Sequence, residues 1–130
     1  MIQTSVYNYI NVLDKAADAS WLRNEAISNN IANVDTPGYK RQDVDFESQL
    51  TKALGMSRYE TMDSKVAGIT LSNLKPSTYT DYSGYSYRLD GNNVDIDTEN
   101  VEFASNQLYY QTVLDTINHQ FSMLKAAMQK

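Results

Sequence analysis

Ser28-Asn29-Asn30-Ile31-Ala32-Asn33-Val34-Asp35-Thr36-Pro37-Gly38-Tyr39-Lys40-Arg41 is the stretch around which this chain is organised. Apolar residues with helical spacing lead up to it, and that spacing vanishes for about sixty residues beyond it. Thr36 precedes a proline and is pushed towards extended geometry. Pro37-Gly38 suits the two central positions of a type II turn, because proline fixes φ and glycine accepts a positive φ. Asn33 tolerates the left-handed conformation that commonly ends a helix. The order of these signals, with Asn29, Asn30, Asn33 and Asp35 interleaved, predicts that a long helix stops here.

Upstream, residues 5–33 read as that helix. Val6, Ile10, Leu13, Ala17, Ser20, Asn24, Ile27, Ile31 and Val34 recur in steps of four and three, the seam of a coiled coil. Ala16, Ala19 and Leu22 widen the stripe, and Trp21 lies beside it. Ser20 and Asn24 are polar seam positions, which lower stability but can fix register. Such a helix spans about 43 Å at 1.5 Å per residue.

Downstream, residues 40–46 alternate apolar and acidic and read as a short extended segment. Residues 47–54 read as a short helix ended by Gly55. Residues 56–90 are the least regular. Residues 66–71 read as a strand, and the Tyr-rich stretch 78–89 as short strands around Ser83-Gly84. Asp90-Gly91-Asn92-Asn93 is a turn signal. A last helix then runs to about Met128, with Asp97 or Thr98 as its cap and Glu99 and Glu102 in its first turn, where the helix dipole favours negative charge. Its seam is Phe103, Gln107, Tyr110, Leu114, Ile117, Phe121, Leu124 and Met128, with Val101, Ala104 and Leu108 alongside.

The expected fold is therefore mainly α. Two long terminal helices pair as an antiparallel coiled coil, residues 1–34 with residues 98–130. Residues 35–97 form the turn motif and a small irregular or β-containing segment. Neither helix gains much stability in water without burying its seam. A two-helix pair cannot cover both the seams and the stripes beside them, so other subunits are expected to cover the rest.

Composition narrows the function. The 130 residues are 42% hydrophobic and 21% charged, with a net charge of -5. Scattered basic residues on an acidic chain argue against nucleic acid, which needs clustered Lys and Arg. There is no cysteine, which excludes disulfides, thiolate metal sites and thiol nucleophiles. Residues 1–5 lack a basic n-region and no unbroken apolar run follows, so no cleaved signal peptide is expected. No run approaches the ~20 apolar residues of a membrane span. His119 is the sole histidine, and a surface helix position accounts for it better than a metal site. Residues 90–97 fail the calcium-loop pattern because Val94 stands where Asp or Asn is needed. Neither a cofactor nor a small-molecule substrate is expected, and the chain does not read as an enzyme.

The motif residues Asn29, Asn30, Ile31, Ala32, Asn33, Thr36, Pro37, Gly38 and Tyr39, ahead of Lys40-Arg41 and at the end of a coiled-coil helix, resemble the signature of bacterial flagellar rod, hook and hook-associated axial proteins. Val34-Asp35 before the Thr-Pro-Gly-Tyr run and Asp43-Val44-Asp45-Phe46-Glu47 after it resemble the proximal-rod members of the family. So do residues 90–95 and Asn106-Gln107-Leu108-Tyr109-Tyr110-Gln111, and so does the short length. The resemblance covers roughly residues 1–50 and 88–130. It implies a structural subunit of the flagellar basal body, periplasmic and exported by the flagellar type III apparatus. It also implies helical polymerisation with copies of itself, contact with other rod proteins and with the membrane-ring adaptor protein, and torque transmission. The motif and the seam residues Ile10, Leu13, Ala17, Ile27, Ile31, Tyr110, Leu114, Ile117, Phe121 and Leu124 would carry assembly. The rival reading, a non-flagellar coiled-coil adaptor or a secretion-system needle-like protein, shares the helices but not the Asn-rich turn.

Overall fold

The computed structural model describes residues 3–55, 60–82 and 88–129. Helix α1 (Gln3–Ala32) leads to strand β1 (Gln42–Val44), helix α2 (Glu47–Leu54), helix α3 (Met62–Ala67), strand β2 (Thr78–Thr80) and helix α4 (Ile96–Met128). A single 3-10 turn, Leu71–Asn73, follows α3. Two long helices at the chain ends thus enclose a central segment of short helices and one small sheet.

Helix α1 is the element the others pack on. It contacts α4, β1, α3 and β2. Its alanines, Ala16, Ala17 and Ala19, are buried with Val44, Phe46, Leu74 and Val113 in one cluster. Small side chains there let the strand and α4 approach two adjoining faces of the same helix. Towards α4, Ser20 Oγ donates to Asn106 Oδ1 at 2.9 Å, and Trp21 stands 6.2 Å from Tyr110 between ring centroids. Asn30 donates to Glu99 at 3.0 Å. As α1 runs from residue 20 to 30, its partners on α4 run back from about 106–110 to 99.

On the adjoining face, Arg23 reaches the central segment. Its guanidinium donates to the Val44 carbonyl at 2.7 Å and to both carboxylate oxygens of Glu47, at 2.9 and 2.7 Å. Tyr9 donates to Asp63 of α3 at 2.8 Å. The sheet is two-stranded and antiparallel, with Gln42 opposite Thr80, Asp43 opposite Tyr79 and Val44 opposite Thr78. Its β1 edge is closed by a side chain. Asn30 donates to the Gln42 carbonyl at 2.8 Å and accepts from the Gln42 N–H at 2.8 Å, as a neighbouring strand would.

Several expectations change. Helix α1 ends at Ala32, and no non-glycine residue among those described has a positive φ, so Asn33 does not take the left-handed conformation. Residues 66–71 are not a strand. Thr61 caps α3 by accepting from the Ser64 N–H at 3.3 Å, and Val66 is buried on that helix. Ile69 and Leu71 alternate as a strand would, but α3 ends at Ala67 and Leu71 opens the 3-10 turn. Strand β2 pairs with β1, on the far side of residues 45–77, and not with a hairpin partner; the expected Ser83-Gly84 turn lies outside the described residues. The cap of α4 is Asp95, which accepts from the Asp97 N–H at 3.0 Å, so the helix starts slightly earlier than Asp97 or Thr98 would place it. Helix α2 starts and stops as its sequence indicates, Gly55 taking φ 70° after it.

Two outcomes follow from this packing. Phe46→Ala, at a side chain 1% exposed, lowers the free energy of unfolding by about 3–5 kcal/mol, read from the urea midpoint. The hydrogen bond from Arg23 holds the Glu47 carboxyl below its ordinary value. A depressed folded pKa gives stability that is present above the unfolded value and is lost as pH falls through the folded one. An NMR titration therefore finds the Glu47 midpoint below that of an ordinary glutamate, and Arg23→Gln moves it upwards.

Candidate functional site

The end of a helix leaves carbonyls without intrahelical partners, and buried carbonyls must find donors elsewhere. The last carbonyls of α1 are met locally, Asn29 and Asn30 by the Asn33 N–H and Ile31 by the Val34 N–H, whereas the carbonyls of the bend that follows find donors in a segment some fifty to sixty residues further on. Buried Asn92 donates its amide to the carbonyls of Asn33, Val34 and Thr36, at 2.8, 3.0 and 2.9 Å, and accepts from the Val94 N–H at 2.8 Å. Arg88 also donates to the Val34 carbonyl. Asn33 finishes the helix locally by donating from its side chain to the Asn29 carbonyl at 2.8 Å and accepting from Thr36 Oγ1 at 3.1 Å.

The chain then turns over residues 36–39. The Tyr39 N–H donates to the Thr36 carbonyl at 3.2 Å and Gly38 has φ 72°, as a type II turn with Pro37 at its first central position requires. The Gly38 N–H donates to the Asp90 carbonyl at 2.7 Å, and Gly91, with φ 76°, lies alongside, where a Cβ would make ordinary contact with the Gly38 Cα at 3.8 Å. Lys40 donates to the Gly91 carbonyl. The Arg41 N–H donates to Asn93 Oδ1 at 2.7 Å, and Asn93 Nδ2 to the Asp81 carbonyl at 2.7 Å. The segment 90–93 is thus the mould into which residues 33–41 are pressed.

A buried ion pair lies under this turn. The Glu99 side chain, 1% exposed, accepts from Arg41 Nε at 2.8 Å and from Asn30 Nδ2 at 3.0 Å. Arg41 also pairs with Asp81 at 2.8 Å. Burial opposes the positive charge of Arg41, but hydrogen bonds to Glu99 and Asp81, with the charges of Glu99 and Asp43, outweigh it and keep the group above its ordinary pKa. Tyr39 donates to Asn30 Oδ1 at 3.2 Å; burial and the nearby Glu99 charge raise its pKa and keep it protonated. With four hydrogen bonds, Asn30 uses both amide hydrogens and takes two donors on its oxygen.

Of the motif residues, Asn30 is fully buried, Ile31, Asn33 and Tyr39 are half-buried, and Asn29, Ala32, Thr36, Pro37 and Gly38 are exposed. Of the seam residues, Ile10, Ala17 and Ile27 are buried, and Leu13, Ile31, Tyr110, Ile117 and Leu124 are partly buried. Leu114 and Phe121 are 38% and 50% exposed. Trp21 remains 63% exposed and, with Phe103, Gln107 and three polar residues of α1, borders an open groove between the long helices. The sequence did not single out Asn92 or Glu99 as site residues. The available signal was Glu99 itself, seven and fourteen residues before Asn106 and Val113, which places all three on one face of α4.

The hydrogen-bonding groups of this corner are turned onto one another, which makes it a joint. Among the described residues no helix is long and apolar enough to cross a membrane, and no cluster of three or more His, Asp or Glu is placed to hold a metal.

The family described as "Flagella basal body rod protein" matches residues 10–40, the span from the third turn of α1 through the bend after it. The flagellar basal body rod protein FlgB of Bacillus subtilis is 35% identical over 120 residues, covering 92% of both chains. This chain belongs to the FlgB family of flagellar basal body rod proteins. FlgB of Escherichia coli is 36% identical over 121 residues, covering 82% of this chain and 83% of that one. FlgB of Borreliella burgdorferi is 31% identical over 132 residues, covering 95% of this chain and 92% of that one. FlgB-family likeness therefore extends through the central segment and α4 as well as the turn. Proteins of this family are structural, and the chain is not an enzyme.

The joint has a measurable signature. Asn30→Ala and Asn92→Ala each leave several buried partners unsatisfied and lower stability by about 2–3 kcal/mol. Asn29→Ala, at an exposed side chain, changes it by no more than about 0.5 kcal/mol. Denaturant unfolding of the three variants separates them.

Proposed function

We propose that this chain is a subunit of the proximal rod of the bacterial flagellar basal body, polymerising helically to link the membrane ring to the distal rod and transmit torque. The observation that carries this reading is the FlgB-family likeness over nine-tenths of the chain, together with a turn motif whose polar groups serve backbone geometry. The needle-like or adaptor reading loses ground because the similar proteins are flagellar rod proteins.

In this reading residues 1–34 and 98–130 form the inner, coiled-coil part of the subunit, and residues 35–97 the part that leaves it. Antiparallel pairing is supported by the opposite sense of the α1–α4 contacts. The partners are further copies of the chain, other rod proteins, the membrane-ring adaptor protein and the flagellar export apparatus, which would deliver the subunit to the periplasm without a cleaved signal peptide. Head-to-tail contacts that do not close into a ring build an open filament. Trp21, Leu108, Leu114 and Phe121, exposed on the single chain, supply apolar surface for such contacts.

Gly38 sets the direction in which the chain leaves α1. A Cβ at Gly38 would meet nothing within 4 Å, so the strain of a substitution there lies first in the backbone. Gly38→Val forces a β-branched residue to φ 72°, at a cost on the order of 1–3 kcal/mol. Expressed in a strain lacking its own copy, this variant accumulates but fails to support rod assembly and swimming, whereas Gly38→Asn, which tolerates a positive φ, keeps partial motility. Normal swimming by the valine variant would refute the role given to the turn.

A further inference from the structure

Helix α4 carries two apolar stripes that share Phe103, Tyr110, Ile117 and Leu124. Asn106, Val113 and Gln120 complete one stripe; Gln107, Leu114 and Phe121 complete the other. Half the positions differ by one residue, so the stripe centres lie about 50° apart around the helix. Burial of apolar surface alone favours the second, because Leu114 and Phe121 outweigh Val113 and Gln120. The structure packs the first: Asn106 and Val113 are buried, Gln120 is partly buried, and Gln107, Leu114 and Phe121 are exposed.

The reason lies in the middle of the seam. Asn106 accepts from Ser20 Oγ at 2.9 Å and donates to the Ser20 carbonyl at 2.9 Å and to Asn24 Oδ1 at 3.0 Å. Turning α4 by half a position would break this set, and Ser20 and Asn24 would keep partners only if Gln107, which that turn brings towards them, remade all three bonds from a longer side chain. The Glu99 ion pair holds α4 at one point only. Asn106, one heptad on and on the same face of α4, is the second point.

We infer that the Ser20–Asn24–Asn106 layer selects which face of α4 packs on α1, holding the more apolar face outwards. It determines orientation, in the way a polar seam residue fixes the register of a coiled coil. This inference does not require the rod reading, since it concerns the folded single chain.

The absence of cysteine gives a clean test on the full-length protein. Single reporters Gln107→Cys and Gln120→Cys are labelled with a thiol-reactive reagent under native conditions. With no other change, the thiol at position 107 labels faster than the thiol at position 120. Adding Asn106→Leu slows labelling at position 107 by about ten-fold and speeds it several-fold at position 120, while circular dichroism shows the helices retained. Adding Leu114→Gln as well, which weakens the competing stripe, restores the original order. Ser20→Ala with Asn24→Ala strips Asn106 of its side-chain partners in a helix already rich in alanine. This pair slows position 107 and speeds position 120 in the same sense, and it serves if the leucine variant does not fold. Labelling rates within two-fold of the unmodified reporters in whichever of these variants folds would overturn the inference.

Discussion

A carboxylate taken out of water has to be paired, and Glu99 is the carboxylate on which this fold depends. Removing one partner of such a buried pair typically costs about 3–5 kcal/mol, because the other is left charged and dry. The two groups that satisfy Glu99 come from different places: Arg41 from the chain entering β1, and Asn30 from the last turn of α1. The first turn of α4, the end of α1 and the start of the sheet can therefore take these positions only together. Asn92, with three carbonyls on one amide, and the Gly38 N–H on the Asp90 carbonyl surround that pair with a shell of backbone hydrogen bonds.

The consequence for a rod subunit is stiffness where direction matters. A bend made only of proline and glycine would set a preferred angle but yield under load. Here the bend is fixed on its inner side by residues 88–93 and beneath by the ion pair, so the angle between the long helices and the central segment is held by hydrogen bonds from both. Arg23 adds a second tie further along α1, bridging the Val44 carbonyl and Glu47. With Tyr9 on Asp63 of α3, the helical part and the part that leaves it are thus joined at three separate points.

Much of this was legible in the sequence, and what was not has physical reasons. The long helices, the stop near residue 33, the Pro37-Gly38 turn and the helix over residues 47–54 are written in local signals: periodicity, φ restriction and a terminating glycine. The partnership between residues 33–41 and 88–93 is not local, and Asn92 read only as a turn residue because its hydrogen bonds lie almost sixty residues away. The first turn of α4 was read for its dipole, so Glu99 looked like a surface acid. Apolar periodicity selected Leu114 and Phe121 for the α4 seam, whereas Asn106 and Val113 are the buried neighbours; hydrogen bonds decided between stripes that hydrophobicity ranks the other way. Ile69 and Leu71 carry the alternation of a strand, and the Thr61 cap that makes Val66 helical lies outside that window.

The sequence separations at the corner carry one more implication. Asn30 to Glu99 spans 69 residues, Arg41 to Glu99 spans 58, and Asn33 to Asn92 spans 59. Contacts so distant along the chain form only after a large loop has closed, and chains dominated by them fold slowly. A ribosome that has released α1 and the turn has not yet supplied the asparagine and the glutamate that hold them. Until the last part of the chain arrives, the carbonyls of Asn33, Val34 and Thr36 lack the Asn92 amide and Arg41 lacks Glu99. The bend that gives the finished subunit its shape is therefore among the last features the chain acquires.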